Sequence, residues 1–191
     1  MADDYVRFDE REDVLVSLEL VAHFAPLVRE KPQHWKWIIV GAHDALQGAM
    51  VCAYADSTGT SVLDKKSAKE MLDWLGADPA TQGPWPEERL APFGQLLDRC
   101  IAGNAIFEPL VLTPEQHEDI KRLHDHFRNN FAHFTPKGWS IPRAELPWIV
   151  GAALDAAEVL MRRHNVIVHM DEDQQQRLMD ALATVRSHLP R

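Results

Sequence analysis

Apolar residues recur at spacings of three and four along most of the chain, which is the pattern of amphipathic helices. Such stretches cover approximately residues 9–29, 34–55, 67–75, 87–101, 114–134, 144–163 and 171–188. Convincing runs of alternating polar and apolar residues are absent from the sequence. Residues 166–168 are β-branched and could form a short extended link. The pattern therefore predicts an all-α protein built as an antiparallel helical bundle.

The helix predicted from Pro114 onward has a clear start and a clear end. Thr113 supplies a capping hydroxyl before the proline, and Pro136 disfavours helical backbone at the residue before it, so the helix should end near Phe134. Its apolar positions form one core-facing stripe. They are Ile120, Leu123, Phe127, Phe131 and Phe134.

Arg128, Asn129 and His133 lie at the C-terminal end of this helix. In an ideal helix His133 points roughly 140° away from Arg128, so the two cannot form a simple pair on one face. They can meet only if the last turn unwinds or tightens, or if the second member comes from another chain across a symmetric interface.

This stretch resembles the R-x4-6-H motif of the HEPN superfamily, in which a polar residue often follows the arginine, as Asn129 follows Arg128 here. The resemblance runs from about Glu115 through Trp139. It implies a single HEPN-like helical domain over residues 1–191, usually dimeric, with the motifs of two chains facing each other. Many members are metal-independent ribonucleases, and others are inactive binding modules. The segment at about 56–110 is longer than a minimal bundle needs and is expected to be a helical and loop insertion between the second and third core helices.

The resemblance implies that Arg128, Asn129 and His133 are the catalytic residues and that no cofactor is needed. RNA can be cleaved by its own 2′-OH if one group takes a proton, another gives one, and a third stabilises the added negative charge. His133 suits a proton-transfer role, because the C-terminal end of the helix favours its protonated form. Arg128 offers a permanent charge and forked donors to the phosphate, and Asn129 can orient either residue.

The second predicted helix is apolar almost all round, which predicts burial on most sides. Its polar residues Lys36, His43 and Gln47 fall on one stripe, with Asp44 on the shoulder. One interpretation is that these side chains satisfy one another or the backbone inside the bundle. The other is that they line a substrate-binding pocket facing Arg128 and His133. Lys137, in the turn after the motif, is the remaining candidate for substrate binding.

The formal charge of −9 argues against a broadly basic surface for nucleic acid. A local basic patch remains open, because four cations surround the motif in the sequence: Arg122, Arg128, Lys137 and Arg143. Cys52 and Cys100 stand in apolar helical contexts, which favours buried thiols over a disulfide or a metal pair. The N-terminal residues are acidic and resemble no signal region, and no apolar run is long enough for a membrane span, so a cytoplasmic protein is expected.

Other chemistries find no support in the sequence. The ten histidines contain no H-E-x-x-H and no pair with the spacing of two ligands on adjacent helical turns, so no metal site is predicted. Phosphate-loop and nucleophile-elbow motifs are also absent. Two functions remain: a metal-independent endoribonuclease acting on single-stranded RNA, and an inactive helical module that binds a partner protein, such as an antitoxin, or a nucleotide. A homodimer is expected in either case.

Overall fold

The computed structural model describes residues 5–133, 135–136 and 138–189, and it is all-α, as the sequence predicts. The main helices are α1 (Glu10–Phe24), α2 (Trp35–Tyr54), α3 (Lys65–Leu75), α4 (Phe93–Ala102), α5 (Pro114–Arg122), α6 (Asn129–Ala132), α7 (Leu146–Met161), α8 (His164–Ile167) and α9 (Glu172–His188). A π-helical turn, Leu123–Arg128, connects α5 directly to α6. Within the described ranges no strand is formed, and one isolated antiparallel bridge joins Leu63 and Leu90.

The starts of three helices follow the capping signals in the sequence. Asp9 accepts hydrogen bonds from the backbone N–H groups at the start of α1, and Thr113 and Asp171 form complete capping boxes at α5 and α9. Residues 166–168 are not an extended link. Most of them belong to the short helix α8, where the buried Val166 fixes the turn against the core.

Helix α2 lies at the centre of the fold, packed against α1, α4, α7 and the π-helical turn. Two glycines let α1 approach closely: a Cβ atom at Gly41 would lie 2.9 Å from a methyl carbon of Val21, and one at Gly48 would lie 2.7 Å from a methyl carbon of Val14. The apolar surface of α2 is therefore buried mostly within a single chain. A second helix that is apolar almost all round is one reason to expect a second chain, and its burial within one chain removes that reason. The other reason, the divergent directions of Arg128 and His133, remains.

Part of the segment at 56–110 belongs to the same hydrophobic core. Helix α4 contributes Phe93, Leu96, Leu97 and Cys100 to it. The predicted start of this helix near residue 87 is wrong, because the preceding residues run extended beside residues 62–64. Arg89 O accepts from Asp64 N–H at 2.8 Å, and Ala91 N–H donates to Val62 O at 2.9 Å. Pro92 then marks the turn into α4.

The two cysteines are buried free thiols, as the sequence predicts. Burial raises the pKa of each thiol to about 12, so neither is a ready nucleophile. Across the described residues, none of the helices is both long enough and apolar enough to cross a membrane.

Candidate functional site

The helix that carries the motif is continuous but irregular. After α5, the turn from Leu123 to Arg128 is π-helical, and Asn129 N–H donates to the carbonyl of His124, five residues back. A π-helical turn holds more residues than an α-helical turn, so it rotates the residues after it relative to those before it. The angles of an ideal helix therefore do not relate His124 to Arg128. Such turns recur at functional sites.

The three motif residues occupy the last part of this helix. Arg128 is half-buried, and its Nη1 lies 3.4 Å from Asn129 Oδ1, a long contact. His133 is exposed and follows the last residue of α6, with its backbone N–H donating to Asn129 O at 3.0 Å. Its φ and ψ of −121° and 53° take the chain out of the helix, so the last helical residue is Ala132, two residues before the predicted end at Phe134. Phe134 lies outside the described residues.

Arg128 and His133, both described residues, share no hydrogen bond within the chain. The assignment of Arg128, Asn129 and His133 as catalytic residues therefore stays a prediction. Lys137, the predicted substrate-binding residue in the following turn, also lies outside the described residues.

The predicted polar stripe on α2 divides among three surroundings. His43 points toward the motif helix and is completely buried. Lys36, in the first turn of α2, lines an open cavity beside α6. Asp44 and Gln47 border a different recess on the α1 side, described below. The stripe is therefore not one continuous substrate-binding surface.

The recess beside Asp44 and Gln47 is acidic. Its volume is about 220 Å³, and Glu10, Asp13 and Ser17 of α1 form the opposite wall. Burial, together with the nearby Asp44 carboxylate, raises the pKa of Asp13. Clustered carboxylates repel a phosphate. The proposed contact of Asp44 and Gln47 with substrate thus gains no support from their surroundings.

His43 is the centre of a buried polar cluster. Its Nδ1 lies 3.0 Å from Asp44 Oδ1, and its Nε2 lies 2.9 Å from Nδ1 of His124 on the π-helical turn. Phe93 of α4 stacks on both imidazoles, with ring centroids 4.6 Å from His43 and 4.4 Å from His124. Both ring nitrogens of His43 thus have hydrogen-bond partners. For His43, this agrees with the first interpretation of the stripe, in which polar side chains satisfy one another inside the bundle.

This geometry favours one arrangement of protons in the neutral pair. The Asp44 carboxylate can only accept, so His43 Nδ1 carries a proton and His43 Nε2 is left as an acceptor. His124 must then donate from its Nδ1. Burial lowers the pKa of His124, and the nearby His43 and Arg128 lower it further against the opposing effect of Asp125. His124 is therefore biased toward the neutral form, with its unprotonated Nε2 directed away from His43.

A cavity of about 640 Å³ opens beside α6. Aromatic and aliphatic side chains cover much of its wall, including Trp35, Phe131 and Trp139, and two cations, Lys36 and Arg143, stand at it. Trp139 packs on Phe131 with ring centroids 4.9 Å apart, so the turn after the motif is held against α6. Phe131 lies between Arg128 and His133 in the chain, which places the cavity next to the motif.

The cations around the motif are not equivalent. Arg122 is neutralised by an ion pair with Glu145 at 2.6 Å, and its guanidinium lies 5.5 Å from the ring centroid of Phe127. Lys36 Nζ lies 5.0 Å from the ring centroid of Trp37. Among the described residues, Lys36, Arg128 and Arg143 form no ion pair with a carboxylate. Of the four cations of the predicted basic patch, Arg122 is thus paired, Arg128 and Arg143 are not paired with a carboxylate among the described residues, and Lys137 lies outside the described residues.

Sequence reasoning missed two residues of this region. The histidine spacings do not single out His124, although its place about one turn before Arg128 is a usable signal. The sequence indicates Trp139 only as the end of the motif stretch.

Among the described residues, no three His, Cys, Asp or Glu side chains are grouped closely enough to hold a metal ion. Comparisons with protein-family models, curated proteins and solved structures find no match for this chain.

Proposed function

We propose that this protein is a HEPN-like, metal-independent endoribonuclease that cleaves single-stranded RNA. The observation that carries the proposal is the position of the motif beside the cavity. Arg128 and His133 stand at the two ends of α6, and Phe131 of the same short helix lines the cavity together with Lys36 and Arg143. Aromatic rings and unpaired cations are the groups that bind single-stranded nucleic acid.

The chemistry follows from the separate properties of the two motif residues. Arg128 has a permanent charge and forked donors that match a phosphate, so it stabilises the charge that accumulates during attack by the 2′-OH. His133 is exposed just after the last residue of α6, and it gives its proton to the leaving 5′-oxygen. Asn129, 3.4 Å from Arg128, orients the guanidinium.

A homodimer completes this proposal. Arg128 and His133 share no hydrogen bond within the described chain, and a two-fold interface brings the arginine of one chain toward the histidine of its partner. Light scattering at micromolar concentration should therefore give the mass of two chains. A monomer at that concentration contradicts the symmetric site.

The proposal is tested by cleavage of a single-stranded RNA in excess EDTA, with a DNA of the same sequence as the control. The RNA should be cut to fragments that end in a 2′,3′-cyclic phosphate and a 5′-hydroxyl. The DNA should stay intact, because it lacks the 2′-OH. If the RNA also stays intact, the enzyme is excluded.

The second candidate is an inactive helical module that binds a nucleotide or a partner protein such as an antitoxin. It is favoured by the absence of a hydrogen bond between the described residues Arg128 and His133, together with a cavity that can bind a ligand without any chemistry. An RNA that binds at micromolar concentration and is never cut supports this module against the nuclease.

A further inference from the structure

The proposed ribonuclease site has a charge-stabilising group and a proton donor, but it lacks a group that takes the proton of the 2′-OH. We propose that His124 is this general base and that His43 and Asp44 position it. The inference rests on the proposed ribonuclease function. The observation behind it is the hydrogen-bonded series from Asp44 Oδ1 through His43 to His124, which spans α2 and the π-helical turn.

The series connects two sides of a buried helix. His43 is 0% exposed, whereas 44% of the Asp44 side chain and 25% of the His124 side chain are exposed. A fully buried histidine is costly unless both nitrogens have partners, and here both have them. His43 therefore joins a carboxylate on one side of α2 to an imidazole on the other.

The series determines which nitrogen of His124 is free. Asp44 accepts from His43 Nδ1–H, and the lone pair of His43 Nε2 accepts from His124 Nδ1–H. When both imidazoles are neutral, the ring-plane lone pair that these bonds leave unused is the one on His124 Nε2. Asp125 Oδ1 is 3.9 Å from this nitrogen, which is too far for a hydrogen bond. Phe93 stacks on both rings and holds them in this orientation.

His124 is also close to the proposed phosphate site. It precedes Arg128 by about one turn on the same helical stretch. The positive guanidinium is near enough to disfavour a positive charge on the imidazole of His124. Along the chain, Arg128 follows His124 by four residues and precedes His133 by five. In the proposed dimer, a phosphate held by Arg128 has His124 of the same chain on one side and the partner's His133 on the other.

The proton transfers balance. His124 Nε2 takes the proton of the 2′-OH while the 2′-oxygen forms a bond to phosphorus. The bond from phosphorus to the 5′-oxygen breaks, and the leaving oxygen takes a proton from His133. The products are a 2′,3′-cyclic phosphate and a 5′-hydroxyl, and the two histidines return to their starting states by exchange with water.

The charge of His124 depends on groups from each element packed against it. His43 faces it from α2, with Asp44 behind, and Phe93 faces it from α4 without charge. Asp125 and Arg128 act from its own helix in opposite directions. The cleavage rate should therefore fall at acidic pH as His124 takes up a proton.

The test measures the pH–rate profile of RNA cleavage for wild type, His124→Gln, Asp44→Asn and His169→Gln. His124→Gln should lower the rate by about 10²–10⁴ and remove the acidic limb of the profile. Asp44→Asn should also slow cleavage, because an amide NH₂ facing His43 Nδ1 permits the wrong tautomer. His169 is exposed and distant in sequence, so His169→Gln should match wild type.

A second measurement stays decisive if a variant fails to fold. Nitrogen NMR of the wild-type protein at neutral pH should show the proton of the neutral His124 imidazole on Nδ1. Asp44→Asn should change the ratio of the Nδ1–H and Nε2–H tautomers of His124. A proton found on Nε2 overturns the inference, as does a His124→Gln variant with the wild-type profile. Wild-type protein that cuts no RNA overturns the proposed function itself, and the base role with it.

Discussion

His43 of α2 and His124 of the π-helical turn share a hydrogen bond of 2.9 Å although 81 positions separate them in the chain. This bond joins the central helix to the helix that carries the motif. His43→Leu should destabilise the protein by about 1–3 kcal/mol, because it leaves His124 Nδ1 without a partner in a partly buried position. Urea unfolding measures the change.

The matched control for that bond is the double variant His43→Leu/His124→Leu. With both partners replaced, no polar atom is left unsatisfied, so the double variant should lose less stability than the two single variants added together. If the losses of stability of the two single variants simply add up in the double variant, the hydrogen bond does not couple α2 energetically to the π-helical turn.

Stability should depend on the protonation of His124. Its pKa is lowered in the folded protein by burial and by His43 and Arg128, so the folded state favours the neutral imidazole. This contribution is present above the unfolded value of about 6.5 and is lost as the pH falls through the lower folded value. Between pH 7 and 5, wild type should therefore lose more stability than His124→Gln. Parallel unfolding curves of the two proteins across this range would contradict the shift.

Lys36 should contribute to RNA affinity through its charge. It lines the cavity beside α6 and has no carboxylate partner among the described residues. Lys36→Gln should weaken binding of single-stranded RNA and reduce the slope of log affinity against log salt by about 0.7, the value for one phosphate contact on a single strand. Fluorescence anisotropy at several salt concentrations measures both effects.

The control for Lys36 is Lys66→Gln, because Lys66 is exposed on α3 and forms an ion pair with Glu70 at 3.7 Å. This variant should leave the salt slope unchanged. Equal slopes for wild type and Lys36→Gln would remove the cavity from the proposed RNA-binding surface.

Much of the fold could be predicted from local patterns. The capping residues Asp9, Thr113 and Asp171 mark real helix starts, and the spacing of apolar residues identifies the core faces. The start of α4 could not be found in this way. Residues 89–91 pair with residues 62–64, and a pairing between separate loops leaves no periodic signal in either one.

The candidate site was less accessible to sequence reasoning. Amphipathic spacing does not reveal the register of backbone hydrogen bonds, so the π-helical turn before Arg128 was invisible. The partnership of His43 with His124 depends on how α2 and that turn pack, and neither segment alone indicates it. By contrast, the spacing of Arg128 and His133 predicts that the two do not form a simple pair on one face, and these two described residues share no hydrogen bond within the chain.

The most direct test of the central claim is the rate at which His133→Ala cleaves single-stranded RNA in excess EDTA, compared with wild type and with Arg128→Ala. Both variants should stay folded by circular dichroism, because neither side chain is fully buried in the core. His133→Ala should be slower by about 10²–10⁴ through loss of a proton donor, and Arg128→Ala should lose a comparable factor through loss of charge stabilisation. A folded His133→Ala protein that cuts RNA as fast as wild type would contradict the account.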